Sequence, residues 1–105
     1  MEVITYNKLV RGKIPEIIEK DGKTCKTEIL SDDDYLKMID AKLDEELAEY
    51  HRDQNIEELA DLMEVIYAAA VARGYSIEEL EAVRKKKASK RGVFGKKILL
   101  KEVVE

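Results

Sequence analysis

Apolar positions along the chain recur at helical spacing in three stretches, and the polar residues between them mark where each stretch begins and ends. Leu36, Ile39, Leu43, Leu47 and Tyr50 share one helix face. Ser31, followed by Asp32, Asp33 and Asp34, starts that helix: the hydroxyl accepts from a free first-turn amide while the acids complement the positive end of the dipole. The helix is predicted to run to about His51. Arg52-Asp53-Gln54-Asn55 then forms a short turn, which makes the next helix, over 56–73 and closed by Gly74, an antiparallel neighbour. Ser76-Ile77-Glu78-Glu79 is a capping box and opens a further helix that ends near Arg91-Gly92. Upstream, Pro15 suits the first turn of a short helix through Ile17, Ile18 and Lys20, closed by Gly22. Tyr6 to Lys13 reads as extended or turn-like, since a residue before proline is steered from helical angles. Weak alternation over Thr24 to Leu30 predicts a short strand, whose natural partner is the Ile-, Leu- and Val-rich segment from Lys97 to Val103.

The pattern therefore predicts an all-α antiparallel helical bundle with a short two-stranded element, as a single domain over 1–105. No repeat, linker or compositional break divides it. Charged residues make up 40% of the chain and proline occurs once, a composition that favours long helices. A net charge of −4 argues against a broad nucleic-acid-binding surface. One cysteine, Cys25, and one histidine, His51, are too few for a structural zinc site, so any bound metal is expected to have oxygen ligands. The start of the chain lacks the pattern of a signal peptide and no apolar run approaches a membrane span, so a cytoplasmic protein without a membrane partner is expected.

The helix over 56–73 carries the chemistry that changes this picture. From Leu59 to Ala72 it is apolar except for Asp61 and Glu64, the pattern of a helix buried on all sides. Leu59, Leu62, Met63, Ile66, Tyr67 and Ala70 are expected to fill the protomer's core. Val65, Ala68 and Ala69 are left on other faces, where a second copy would cover them, so a homodimer or larger homo-oligomer is expected. Asp61 should be partly buried, and Glu58 lies one turn before it. On the preceding helix Glu46 and Glu49 show the same three-residue spacing beside the apolar stripe, while Glu45 points away from it. Across a tight turn the two pairs face one another, and carboxylates gathered this way take up protons or bind a cation. An all-oxygen set selects Mg²⁺ or Mn²⁺. The plainer alternatives are a solvated acidic face, or a structural ion pair of Asp61 with Arg11 or Arg84.

Glu45-Glu46-Leu47-Ala48-Glu49 followed by Glu58-Leu59-Ala60-Asp61 resembles the EExxE…ExxD signature of the MazG-like and phosphoribosyl-ATP pyrophosphohydrolase-like superfamily of all-α NTP pyrophosphatases. Tyr6-Asn7-Lys8-Leu9-Val10-Arg11, Lys13-Ile14-Pro15-Glu16-Ile17-Ile18 and Arg91-Gly92-Val93-Phe94 are similar to a small house-cleaning subfamily of that group. Gly12 stands where that subfamily carries Asp, and the interval between the acidic pairs is shorter than in typical MazG domains. The resemblance implies Mg²⁺-dependent hydrolysis of a nucleoside triphosphate to monophosphate and pyrophosphate. The metal would be held by Glu46, Glu49, Glu58 and Asp61, and Glu45 or Glu49 would accept a proton. It also implies an N-terminal segment that closes over the nucleotide through Asn7, Lys8 and Arg11. Phosphoribosyl-ATP pyrophosphohydrolase itself is the alternative enzyme, and a non-enzymatic helical dimerisation module is the alternative outside enzymes.

A triphosphate needs cations beside the acids. On the last helix Arg84, Lys87 and Arg91 continue the face of Ile77 and Leu80, whereas Lys85, Lys86 and Lys90 point away. The first three are expected to face a polar cleft and contact phosphate; a lysine- and arginine-rich helix end that merely complements the dipole is the plainer reading.

Overall fold

Helix ends in this chain fall where side chains or glycines satisfy the free backbone groups. The computed structural model describes residues 2–105 and contains α1 (Ile14–Lys20), α2 (Asp32–Asp53), α3 (Ile56–Ala72) and α4 (Ile77–Arg91). The chain is all-α. At the start of α2 the Asp34 amide donates to Ser31 Oγ at 3.2 Å. At the start of α4 the Glu79 amide donates to Ser76 Oγ at 3.0 Å, and that hydroxyl lies 3.3 Å from Glu79 Oε1. Gly74, at φ 91°, ends the run of α3, and the Tyr75 amide reaches back to the Ala70 carbonyl at 2.9 Å. α1 begins one residue earlier than the proline rule suggests, with Ile14 already helical and its amide bonded to the Arg11 carbonyl at 3.0 Å.

Two residues turn α2 into α3. Gln54 takes a left-handed conformation, φ 51°, with its amide on the Tyr50 carbonyl. Asn55 then caps α3, accepting the Glu58 amide on Oδ1 at 3.0 Å. The result is an antiparallel hairpin of long helices, which is the main tertiary packing of the molecule. α4 touches α3 over a short stretch, and α1 packs against none of the other helices. Ile39 of α2 and Val65 of α3 are the buried apolar residues of this hairpin.

Two expectations need correction. Among the described residues there is no strand: 24–30 and 97–103 run without pairing, and Ile29, Ile98, Leu99 and Leu100 are exposed. Two short segments alone form at best a marginal ladder, and their alternation did not encode which surface they cover. Cys25 is half-buried in the irregular stretch over 24–30. The facing of α3 also differs in part from the one expected. Leu62, Tyr67 and Ala70 are half-buried, in line with the expectation, but Val65 is buried and Ala68 and Ala69 are half-buried within one copy, whereas Leu59, Met63 and Ile66 stand in the open, at 43%, 48% and 38% exposure. A helix apolar almost all round has no periodicity that chooses a face; the small and β-branched side chains are the ones that let α2 and α3 approach closely. Tyr6, Tyr75 and Phe94 are exposed too, while Tyr35, Tyr50 and Tyr67 are half-buried.

The molecule is elongated, 66 × 31 × 23 Å with a radius of gyration of 18.5 Å, against about 13 Å for a compact domain of similar length. Among the described residues no helix is long and apolar enough to cross a membrane.

Candidate carboxylate centre

The turn at Gln54 and Asn55 brings the last turns of α2 against the first turns of α3, and the acidic residues lie on those turns. Glu46 is the hub. One of its carboxylate oxygens lies within 4.8 Å of oxygens from Glu45 and Glu49, and likewise within 4.8 Å of oxygens from Glu58 and Asp61. Two acidic triads thus share Glu46, and the structure brings together all five acidic residues singled out in the sequence. Glu45, placed facing away by the helical wheel, belongs to one of the triads.

Glu46 is 7% exposed, the one buried charged residue among those described. Its Oε1 lies 3.6 Å from Lys42 Nζ, while its Oε2 is buried with no hydrogen-bond partner, as is Glu58 Oε2. Buried carboxylate oxygens normally have partners, so two orphans in one cluster call for a ligand or a proton. Burial pushes the Glu46 carboxyl above the ordinary glutamate range, and the neighbouring Glu49 adds to the shift. Glu58 is raised as well, by desolvation and then by the negative charges of Glu49, Asp53 and Asp61.

Three cations flank the acids. Lys8 Nζ donates to Glu45 Oε1 at 3.0 Å, and Lys42 Nζ donates to Glu45 Oε2 at 3.2 Å. Lys8 and then Lys42 hold the Glu45 carboxyl below its ordinary range, countering some burial, and the same hydrogen bond raises Lys8. Arg11 donates to Asp61 Oδ1 at 2.6 Å, with both side chains substantially exposed. The ion pair of Asp61 with Arg11, weighed against a metal in the sequence, is therefore present. Asn7 is exposed and takes a left-handed conformation, φ 49°, just before Lys8; asparagine tolerates that region better than most residues.

Lys42 was not singled out in the sequence. Its side chain is 19% exposed between Glu45 and Glu46, and the signal was present as spacings of three and four residues on one helix. The α4 cations are placed differently. Arg84 pairs with Glu81 of its own helix at 2.7 Å, and Lys87 and Arg91 are exposed. Among the described residues no ion pair joins these three to the acidic cluster, and Lys85, Lys86 and Lys90 are exposed as well. α4 meets α3 over a short stretch only.

Lys8, Lys42 and Arg11 engage Glu45, Glu46 and Asp61, while no ion pair is found for Glu49 or Glu58 among the described residues. The donors of each triad are hard oxygens within 4.8 Å of one another, a set whose chemistry suits Mg²⁺ or Mn²⁺ better than a softer metal.

No family model matches this chain, and no solved structure matches it. A stretch of 41 residues is 56% identical to an uncharacterized protein of Mycolicibacterium smegmatis; the match covers 39% of this chain and 42% of that protein.

Proposed function

We propose that this chain is a Mg²⁺-dependent nucleoside-triphosphate pyrophosphohydrolase that cleaves the α–β phosphoanhydride bond, acting in the cytoplasm on canonical or modified nucleotides. The observation that carries this reading is Glu46: a buried carboxylate with an unpartnered oxygen, shared by two acidic triads on one helical hairpin. The resemblance of its flanking sequence to the EExxE…ExxD motif supplies the substrate class.

In this reading Glu46, Glu49, Glu58 and Asp61 hold the metal. Bound there, Mg²⁺ supplies neutralisation of the triphosphate's charge and orientation of the reacting groups. Water attacks the α-phosphorus, the bond from phosphorus to the bridging oxygen breaks, pyrophosphate leaves, and the water's proton passes to a carboxylate. Lys8 and Lys42 stabilise the charged form of Glu45 and so weaken it as a base; the proton is therefore assigned to the Glu49 carboxylate oxygen left free of the metal. Asn7, Lys8 and Arg11, on the segment that crosses the cluster, are assigned to the phosphates. Arg84, Lys87 and Arg91 stay in the proposal on the strength of their shared helix face alone. No nucleic acid or membrane partner enters this reading.

The proposal includes a homodimer. With Leu59, Met63 and Ile66 open to solvent on one face of α3, and Leu47 exposed on α2, the same apolar face would serve a purely structural assembly module. Incubating the protein with a panel of canonical and modified nucleotides and Mg²⁺ or Mn²⁺, and measuring pyrophosphate, separates the two. Release that depends on the metal supports the enzyme; a dimer inert toward the whole panel supports the assembly module.

A further inference from the structure

Segment 7–11 lies across the acidic hairpin with one cation on each helix: Lys8 on Glu45 of α2 at 3.0 Å, and Arg11 on Asp61 of α3 at 2.6 Å. Asp61 is also a member of the triad it forms with Glu46 and Glu58. A dication in that triad would draw on the same carboxylate that Arg11 engages and would repel the guanidinium beside it. We propose that segment 7–11 is a metal-released strap, docked on the hairpin when no divalent cation is bound and freed when one enters. This rests on the reading of the cluster as a divalent-metal site, for which the independent sign is the unpartnered Oε2 of the nine-tenths-buried Glu46 at its centre.

The strap is weakly held. Both of its ion pairs are more than one-third exposed on at least one side, and such pairs favour the closed form by about fivefold each at most. A carboxylate set that binds a dication overcomes an effect of that size. Release also changes what the two cations do: with Glu45 and Asp61 no longer their partners, Lys8 and Arg11 become free donors next to the metal, suited to the oxygens of a triphosphate. In this way the segment that neutralises the metal-free site becomes part of the anion-binding surface of the loaded one.

Trypsin reports the state of the strap directly, because a lysine or arginine side chain held on a carboxylate cannot enter the protease's specificity pocket. The full chain is digested briefly with and without Mg²⁺, and cleavage after Lys8 and Arg11 is normalised to cleavage after exposed Lys26, for which no ion pair is found among the described residues. Mn²⁺ binding by the same protein is measured separately by electron paramagnetic resonance. Cleavage after Lys8 and Arg11 is expected to rise about three- to tenfold with metal. Asp61→Asn should show fast cleavage after Arg11 without metal, and the double variant Lys8→Ala/Arg11→Ala should bind Mn²⁺ at least about threefold tighter than the parent. Bound Mn²⁺ with unchanged cleavage overturns the strap and leaves the metal site standing; no Mn²⁺ binding in parent or double variant overturns the metal site and the strap with it.

Discussion

At Glu46 burial and like-charge repulsion act in the same direction, so the ionised side chain works against the fold when no metal is bound. A carboxyl raised in the folded state binds its proton more readily there than in the unfolded chain. The fold therefore loses stability as pH rises from the ordinary carboxylate range through the raised value, and the loss is complete above it. Glu46→Gln should raise the metal-free melting temperature at pH 7 and leave it nearly unchanged at pH 4; a gain of ~1 kcal/mol corresponds to about 4–8 °C in a domain of this size. The variant should also lose the stabilisation that Mg²⁺ gives the parent. Calorimetry with and without Mg²⁺ checks both, and a lower melting temperature at pH 7 would mean that Lys42 fully compensates the charge. Asp61→Asn keeps volume but removes a negative charge, and should reduce pyrophosphate release by at least ~100-fold while circular dichroism stays helical. Were Asp61 only the partner of Arg11, activity would persist and stability would fall by no more than ~1 kcal/mol.

For the helices, what could be read in advance depended on whether the signal was local. Ser31, Ser76, Gly74 and the turn before α3 act within a few residues of where they stand, and the structure places each helix where they indicate. The acidic pairs were legible for the same reason: three-residue spacing on two helices joined by a short turn fixes their approach. The facing of α3 was not legible, since Leu59 and Val65 are equally apolar and only packing against α2 distinguishes them. Nor was the link from Arg11 to Asp61, separated by 50 residues, selectable among the cations by any local pattern. α4 offers the direct test of a face read from sequence alone. Single changes to Ala at Arg84, Lys87 and Arg91 should weaken nucleotide binding in a titration more than the matched changes at Lys85, Lys86 and Lys90. Equal losses across both sets would reduce α4 to a diffuse positive field.

Taken as a whole, a 12.0 kDa chain with two buried apolar residues among those described and an open apolar face on α3 leaves much of its hydrophobic surface in water, a costly arrangement for one copy alone. Light scattering should report at least twice 12.0 kDa at micromolar concentration, and Ile66→Glu, on the exposed face of α3, should shift it toward one protomer. An active, monodisperse monomer would refute the dimer. The wide separation in sequence between the acids and two of their counter-ions has a consequence for how the chain is made. Lys8 and Arg11 leave the ribosome 37 and 50 residues ahead of Glu45 and Asp61, which at about 5–20 residues per second is a lead of several seconds. The acids themselves follow one another closely and need only one turn to converge. A nascent hairpin therefore closes in the presence of cations already synthesised, and its crowded negative charge has tethered counter-ions to hand before any diffusing metal has to find it.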